Sequence, residues 1–477
     1  MKRQTERILA AVLVAALAVS CAVNPVTGRR ELSLISEEGE ISLGKETDAS
    51  IKQTFGIYND PNLTAYVNGV GMKLAPLTHR PQLPYSFQIL DTPVINAFAV
   101  PGGYIYVTRG ILAMMNSEAE LAAVLGHELG HVNARHSVRR MSQMILLQVG
   151  LAMGSALNDT FAQLAGVASV GIQILYLKYS RDDERQADAL GVEYSRRASY
   201  NPGLMVGFFH CLQKLGDLSG GRSLPGFLST HPLEAERIKN VTAMLSPSDE
   251  RLAVRGNEYL ARINNIIYGD DPRQGYVEAG AFYHPTLRFQ FAVPAQWAVE
   301  NTPSRVTLVS KDKQAAFLLE AEKSQESLPN YAAKKTQSIE GRRFLSDQRL
   351  AINGLSSYHQ MYDIPQQNAD TLRARFSFIR KNAMIYTFTA LSTMSHFGGY
   401  DNQFQQIVRS FRNLSDSRYI NRQPARLRLV KADGRRNLQA LFQANGIAKD
   451  LWPKLAIQNS LELTQVPTAG RVVKIVR

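Results

Sequence analysis

Apolar residues fall at helical spacing through the first half of this chain and alternate as in strands through the second. From Ser36 to about Thr54 the spacing predicts a helix. Asp60-Pro61 opens another, with Leu63, Val67, Val70 and Leu74 on one face. Pro81 to Pro84 breaks the chain, and Tyr85 to Leu90 alternates as a strand does. Ile95 to Val107 holds two β-rich runs around Pro101-Gly102-Gly103, which read as a hairpin or kinked strand pair. Ser117 then precedes Glu120 at capping-box spacing, and Leu121, Val124, Leu125 and Val132 follow at helical spacing. These positions predict a helix that starts at Ser117 and faces a core. Met144 to Leu157 and Phe161 to Leu177 are apolar segments divided by Asn158-Asp159, each short for a membrane span. They read as core helices, with a membrane-contacting lid as the alternative.

Gly269 to Gly275 is rich in turn residues and reads as a linker. Beyond it the period is that of strands: His284 to Pro294, Val306 to Val309, Ala315 to Glu320, Leu355 to Tyr362, Leu372 to Arg380 and Ala383 to Ala390. Asn330 to Ser338 and Asp401 to Phe411 read as helices. The last stretch reads strand, helix, helix, strand over Leu427–Val430, Asn437–Gln443, Trp452–Gln458 and Val472–Val476. The class predicted is α+β. A mainly helical domain with a small hairpin or sheet spans 36–268, and an antiparallel sheet covered on one side spans 276–415. A small βααβ module spans 424–477.

The N-terminus changes the picture by setting a compartment. Lys2, Arg3 and Arg7 precede an apolar run from Ile8 to Val19, which predicts a signal peptide over 1–20 and an exposed tether over 21–35. Leu17-Ala18-Val19-Ser20-Cys21 resembles a bacterial lipobox, which implies lipidation of Cys21; cleavage without lipidation is the alternative. By the sorting rule for such proteins, Ala22 after Cys21 implies the outer membrane. The other cysteine, Cys211, lies in an apolar run and reads as a small buried hydrophobe. A lipid on Cys21 would leave no pair for an intramolecular disulfide.

Composition excludes disorder, with 45% hydrophobic and 20% charged residues. The net charge of +13 is concentrated at the end, where Asp416 to Arg477 carries twelve Lys/Arg against four Asp/Glu. In a secreted protein such a surface points to peptidoglycan or anionic lipid and away from nucleic acid.

The candidate chemistry sits on the helix that begins at Ser117. His127-Glu128-Leu129-Gly130-His131 places two imidazoles one turn apart, where a single zinc ion accepts both, with Glu128 beside them as a base for water. A catalytic zinc needs a third protein ligand. Glu184 and Asp188, four apart, share a helix face; a carboxylate on a separate helix can supply such a ligand, and a second one turn on can orient a histidine. On composition alone the same stretch reads as a charged helix face. The metzincin pattern is excluded, because it needs glycine at 134 and histidine at 137, where the chain has Ala134 and Ser137. His136 therefore reads as structural or as a support to the ligands.

Several stretches taken together resemble the gluzincin metalloproteases related to the CAAX prenyl protease and to HtpX, in particular their soluble bacterial periplasmic members. The matching residues are Asn96-Ala97-Phe98 with Pro101-Gly102-Gly103, Gly126 to His136, Ser180-Arg181 with Glu184 and Asp188, and Thr230-His231-Pro232 with Arg237. The resemblance implies one zinc held by His127, His131 and Glu184, with Asp188 behind them and Glu128 as base. It implies that His231 lies at the site entrance, helping the oxyanion or capping the metal. The strand at Asn96, Ala97 and Phe98 is a candidate edge for extended substrate, or a plain structural hairpin. Residues 276–415 loosely resemble PsbP-like domains, and 424–477 resembles a degenerate LysM glycan-binding module. The function implied is a zinc endopeptidase of the bacterial envelope acting on misfolded or misassembled envelope proteins. The alternative is an assembly factor or cell-wall binder with latent protease activity.

Overall fold

The computed structural model describes residues 21–154, 179–220, 226–232, 235–366 and 369–477. The expected signal peptide and the apolar segment 161–177 lie outside the described residues, as do residues 155–157 of the first apolar segment, whose residues 144–154 are helical as expected. The described chain divides into two units, one of residues 21–269 with 425–477, the other of residues 270–424.

In the first unit, β1 (Cys21–Val23) and β2 (Arg30–Leu32) pair as a small antiparallel hairpin. Residues 21–35 thus differ from the exposed tether expected. Asn24 is buried and donates to the Ala134 carbonyl, and the Leu34 amide donates to Ser142. Helix α1 (Glu37–Phe55) is capped by Ser36, and α2 (Pro61–Leu74) by Asp60, as their sequences predict. A three-stranded sheet follows in the order β3 (Ser86–Leu90), β5 (Tyr104–Thr108), β4 (Ala97–Val100). β4 and β5 form the antiparallel pair, and β3 runs parallel to β5. Gly102 and Gly103 take positive φ at the corner, which explains the Pro-Gly-Gly there.

Helices α3 (Arg109–Met114), α4 (Glu118–Asn133), α5 (His136–Gly154), α6 (Arg181–Arg197), α7 (Leu204–Leu218), α8 (Gly226–Thr230) and α9 (Ala235–Ala243) complete this part. All sixteen residues of α4 are buried. A helix apolar on one stripe normally lies at a surface, so α4 is the central rod of the unit and its polar groups must find partners inside. Among the described residues, no helix is long and apolar enough to cross a membrane.

In the second unit β6 (Tyr276–Glu278), β7 (Ala281–His284), β8 (Phe289–Ala292) and β16 (Arg412–Asn413) form a small four-stranded sheet, and a seven-stranded antiparallel sheet has the order β12-β13-β14-β15-β11-β10-β9. These strands are β9 (Ala298–Asn301), β10 (Arg305–Val309), β11 (Ala315–Lys323), β12 (Arg343–Ile352), β13 (Leu355–Gln366), β14 (Ala369–Lys381) and β15 (Met384–Thr393). Helix α10 (Leu328–Gln337) packs on one face through Leu328, Tyr331 and Ala332 against Tyr358, Tyr362, Phe376 and Phe378. On the other face α11 (Met394–Ser410) packs with Phe397, Phe404 and Ile407 against Ile379, Phe388 and Phe317. The sheet is therefore covered on both faces rather than one. The reason is legible in β14, where Phe376 and Phe378 alternate with Ser377 and Ile379, so both faces carry rings or branched chains.

The C-terminal residues return to the first unit. β17 (Leu427–Lys431), α12 (Leu438–Ala444), α13 (Trp452–Gln458) and β18 (Val472–Val476) give the strand-helix-helix-strand order expected. Their apolar side chains merge with the core around α4. Lys474, wholly buried, donates to the carbonyls of Ala113, Met114 and Met115 at 2.9–3.0 Å. An ammonium there satisfies the free carbonyls at the end of α3, a charge-favoured helix C-terminus.

Candidate active site

The site is built where α4 and α6 touch. Ser117 caps α4 by accepting from the Glu120 amide, while Glu120 accepts from Asn116 rather than closing the capping box on Ser117. Ser180 and Asp183 form a complete capping box on α6. The two helices approach through small residues. A Cβ on Gly126 would lie 3.1 Å from the Gly191 carbonyl oxygen, and one on Gly130 3.0 Å from Ala187 Cα. That close approach brings Glu184 and Asp188 against His127 and His131.

His127 and His131 turn their Nε2 atoms toward each other at 3.1 Å. Glu184 Oε2 is 3.6 Å from His127 Nε2, and its Oε1 is 3.5 Å from His131 Nε2. His231 follows α8 and reaches the same point, with Nδ1 2.9 Å from Glu184 Oε1 and 3.3 Å from His127 Nε2. Its position is fixed by its amide donating to Phe227, by stacking on the Phe227 ring at 4.7 Å, and by the Phe227 amide donating to Ile95. One ligand atom from each of His127, His131, Glu184 and His231 lies within 4.8 Å of every other.

The partners of the outer ring nitrogens decide which inner ones carry lone pairs. His127 Nδ1 is 2.9 Å from Asp188 Oδ1, a carboxylate that favours the proton on Nδ1 and a lone pair on Nε2. His136 donates from Nε2 to Gln186 Oε1, and its Nδ1 accepts from His131 Nδ1, each at 2.9 Å. With Gln186 accepting, His131 donates from Nδ1, and its Nε2 also turns a lone pair inward. His136 thus braces the His131 ring.

Arg237 clamps the carboxylates. Its Nε and Nη2 donate to both oxygens of Asp188 at 2.7 Å, and Nη1 lies 2.8 Å from Glu184 Oε2. Burial alone would raise Glu184 and Asp188; His231 and Arg237 outweigh it for Glu184, and Arg237 and His127 for Asp188, so both lie below the usual carboxylate range. Burial pushes Glu128 up, against the opposing pull of His231 and His127. Burial and the neighbouring His127 and His136 hold His131 well below the ordinary imidazole value. For His231 burial is outweighed by Glu184 and Glu128, and its pKa rises.

The donor set fits a zinc ion. Both oxygens of Glu128 and the Nε2 of His231 are buried without a hydrogen-bond partner among the described residues. Lone pairs and carboxylates that converge away from water are costly unless a cation lies among them. His127, Glu128, His131, Glu184, Asp188 and His231 are all at most 2% exposed. A cavity of about 280 Å³, lined in part by Tyr179, Glu184, Arg185, Pro232 and Arg237, opens beside them.

Asn96, Ala97 and Phe98 are not among the four clustered residues. β4 is an edge strand, but Phe98 points to Tyr106 and Ile51, into a separate small core. Ala97 joins the core around α4. What β4 turns toward α4 is its alanines and its backbone. Tyr179, stacked on His131 at 3.9 Å and bonded to Ser137, was not singled out from the sequence. Its signal is its place just before the Ser180 cap, where an apolar residue fixes the entry to a helix. Cys211 is buried as expected, with Sγ 3.4 Å from Ser460 Oγ.

Residues 61–245 match the model of peptidase family M48. The matched span holds every residue of the cluster. The chain is 30% identical over 290 residues to the beta-barrel assembly-enhancing protease of Escherichia coli K12, covering 56% of this chain and 58% of that protein. It is 28% identical over 227 residues to the mitochondrial metalloendopeptidase OMA1 of Schizosaccharomyces pombe, covering 46% of this chain and 65% of that one. The chain thus spans about three fifths of the length of these curated relatives. A solved structure of cyanobacterial PsbP from Synechocystis sp. PCC 6803 is similar at 12% identity and a TM-score of 0.25 over 29% of this chain and 96% of that one, too slight a likeness to assign a role.

Proposed function

We propose that this chain is a zinc-dependent metalloendopeptidase of the bacterial envelope that hydrolyses misfolded or misassembled envelope proteins. The observation that carries the reading is the buried cluster of His127, His131, Glu184 and His231, with the unpaired carboxylate of Glu128 at its edge. His127, His131 and Glu184 would hold one zinc ion, and Asp188 keeps His127 in the coordinating tautomer. The chemistry zinc supplies when bound is Lewis acidity toward a carbonyl and toward water. Glu128, its pKa raised by burial, takes a proton from the attacking water as the carbon–oxygen bond forms. It returns that proton to the leaving nitrogen as the carbon–nitrogen bond breaks. His231, with Nε2 3.6 Å from Glu128 and Nδ1 against Glu184, is placed to donate to a developing oxyanion or to cap the ligand cluster. The edge of β4, with Asn96 to Phe98 at its start, would align an extended substrate by main-chain bonds.

The names of the relatives support envelope protein quality control as the setting, and the N-terminal pattern supports periplasmic exposure with a lipid on Cys21 anchoring the chain to the outer membrane. The basic C-terminal segment is suited to peptidoglycan or anionic lipid. A second reading, an assembly factor with latent cleavage, is favoured by the burial of the cluster, whose residues are at most 2% exposed. Glu128→Gln separates the two. Loss of cleavage with zinc content kept, and failure to rescue a deletion strain, is expected of a protease. Full rescue would refute cleavage as the main role.

A further inference from the structure

Strand β12 is an outer strand of the seven-stranded sheet, with β13 on one side only. Nine of its ten residues are exposed, among them Phe344, Leu345 and Leu350 at 56, 43 and 42%. A long open edge that bears apolar side chains is a template for another strand unless something blocks it. A bulge between Phe344 and Ser346 interrupts the ladder and leaves the pairing from Ser346 to Ile352 regular.

Within that regular part the charges are laid out symmetrically. Asp347 and Arg349 lie opposite Gln360 and Tyr358 and so share one face; Ser346, Gln348 and Leu350 share the other. Asp347 accepts from the Tyr358 hydroxyl, while Arg349 has no ionic partner among the described residues.

We propose that this edge recognises a second copy of the chain. Residues 346–350 of two copies pair antiparallel about a two-fold axis through Gln348. In that register each Asp347 stands directly opposite the Arg349 of the other copy, Leu350 opposite Ser346, and Gln348 opposite Gln348. A slip of two residues one way sets Asp347 against Asp347, and the other way sets Arg349 against Arg349. A slip of one would put the polar and charged faces on opposite sides of the joined sheet. Cross-strand like charges destabilise and opposite ones stabilise, so the sequence of β12 selects one self-pairing and penalises its neighbours. The same patch serves both copies, as a two-fold contact requires.

Sedimentation velocity on the full chain, from roughly 1 to 100 µM, tests this. A single strand ladder covers less than the roughly 1,000 Å² of a stable interface, so a dimer fraction that grows across the range is expected. Asp347→Arg and Arg349→Asp each create two like-charge pairs, and each is expected to weaken association by about tenfold or more. Both positions are exposed, and unchanged melting of each variant confirms that it is folded. Mixing the two variants in equal amounts restores both opposite-charge pairs, and the mixed dimer is expected at the native level. A native chain that stays monomeric throughout overturns the proposal. So does a dimer untouched by both reversals, or a pair of variants that do not associate when mixed.

Discussion

Gly130 occupies one of the two unspecified positions of the His-Glu-x-x-His pattern, yet the packing of α4 on α6 leaves it no freedom. An added Cβ would stand 3.0 Å from the Cα and carbonyl oxygen of Ala187 and 3.2 Å from Leu190 Cβ. None of these atoms can swing aside on a side-chain rotor, so α6 itself must retreat by about 0.4 Å to reach ordinary contact. Alanine gains about 1 kcal/mol of helix propensity over glycine, and overpacking a tight core costs about 1–3 kcal/mol. The net expected for Gly130→Ala is a loss of about 1 kcal/mol, a fall in melting temperature of roughly 2–4 °C. The larger effect falls on the site, because α6 carries Glu184 and Asp188. A displacement of that size is expected to lower kcat/KM and zinc affinity by roughly tenfold. Thermal melting, zinc content after dialysis against buffered zinc, and cleavage of an unfolded protein give the three readouts. Gly207→Ala on α7 is the control, since a Cβ there meets nothing within 4 Å and should stabilise by up to about 1 kcal/mol. A Gly130→Ala protein that melts higher than the native one, with zinc and turnover intact, would refute this account of how the helices place the ligands.

Arg237→Met leaves Asp188 and Glu184 buried without their cation and is expected to cost about 3–5 kcal/mol, read by denaturant unfolding; a loss under about 1 kcal/mol would contradict the clamp. Burial, with Lys381 nearby, holds His284 down at about 4, and burial beside Arg375 does the same for His359. The unfolded chain binds these protons near pH 6.5 and the folded chain only near 4, so the stability they lend is complete above 6.5 and lost as pH falls toward 4. The slope expected is up to about 1.4 kcal/mol per pH unit for His284 and less for His359, and unfolding of a His284→Gln variant at pH 4.5 and 7 should show it flattened.

The sequence by itself determined much of the local structure and the identity of the donor atoms. Ser36, Asp60, Ser117 and Ser180 each mark a helix start, because a side-chain oxygen at a cap satisfies amides that nothing else in the helix can. His127 and His131 share a face by the pitch of the helix alone. In the last segment the strand-helix-helix-strand order follows directly from periodicity.

Tertiary structure decided what depends on contacts between distant residues. The sequence showed Glu184 and Asp188 as charges on one helix face, and only the close approach at Gly126, Gly130 and Gly191 turns that face inward. Arg237 and His231 enter from α9 and the end of α8, and their bonds to Asp188 and Glu184 span more than forty residues. No local pattern encodes such pairs, since periodicity reports only which way a side chain points. β12 was missed for the same reason: exposed on both faces, it lacks the alternation by which a half-buried strand is recognised. The C-terminal segment docks through apolar side chains and through Lys474, whose buried amine finds three carbonyls at the end of α3. Composition counts that lysine as surface charge; burial against those carbonyls makes it part of the core.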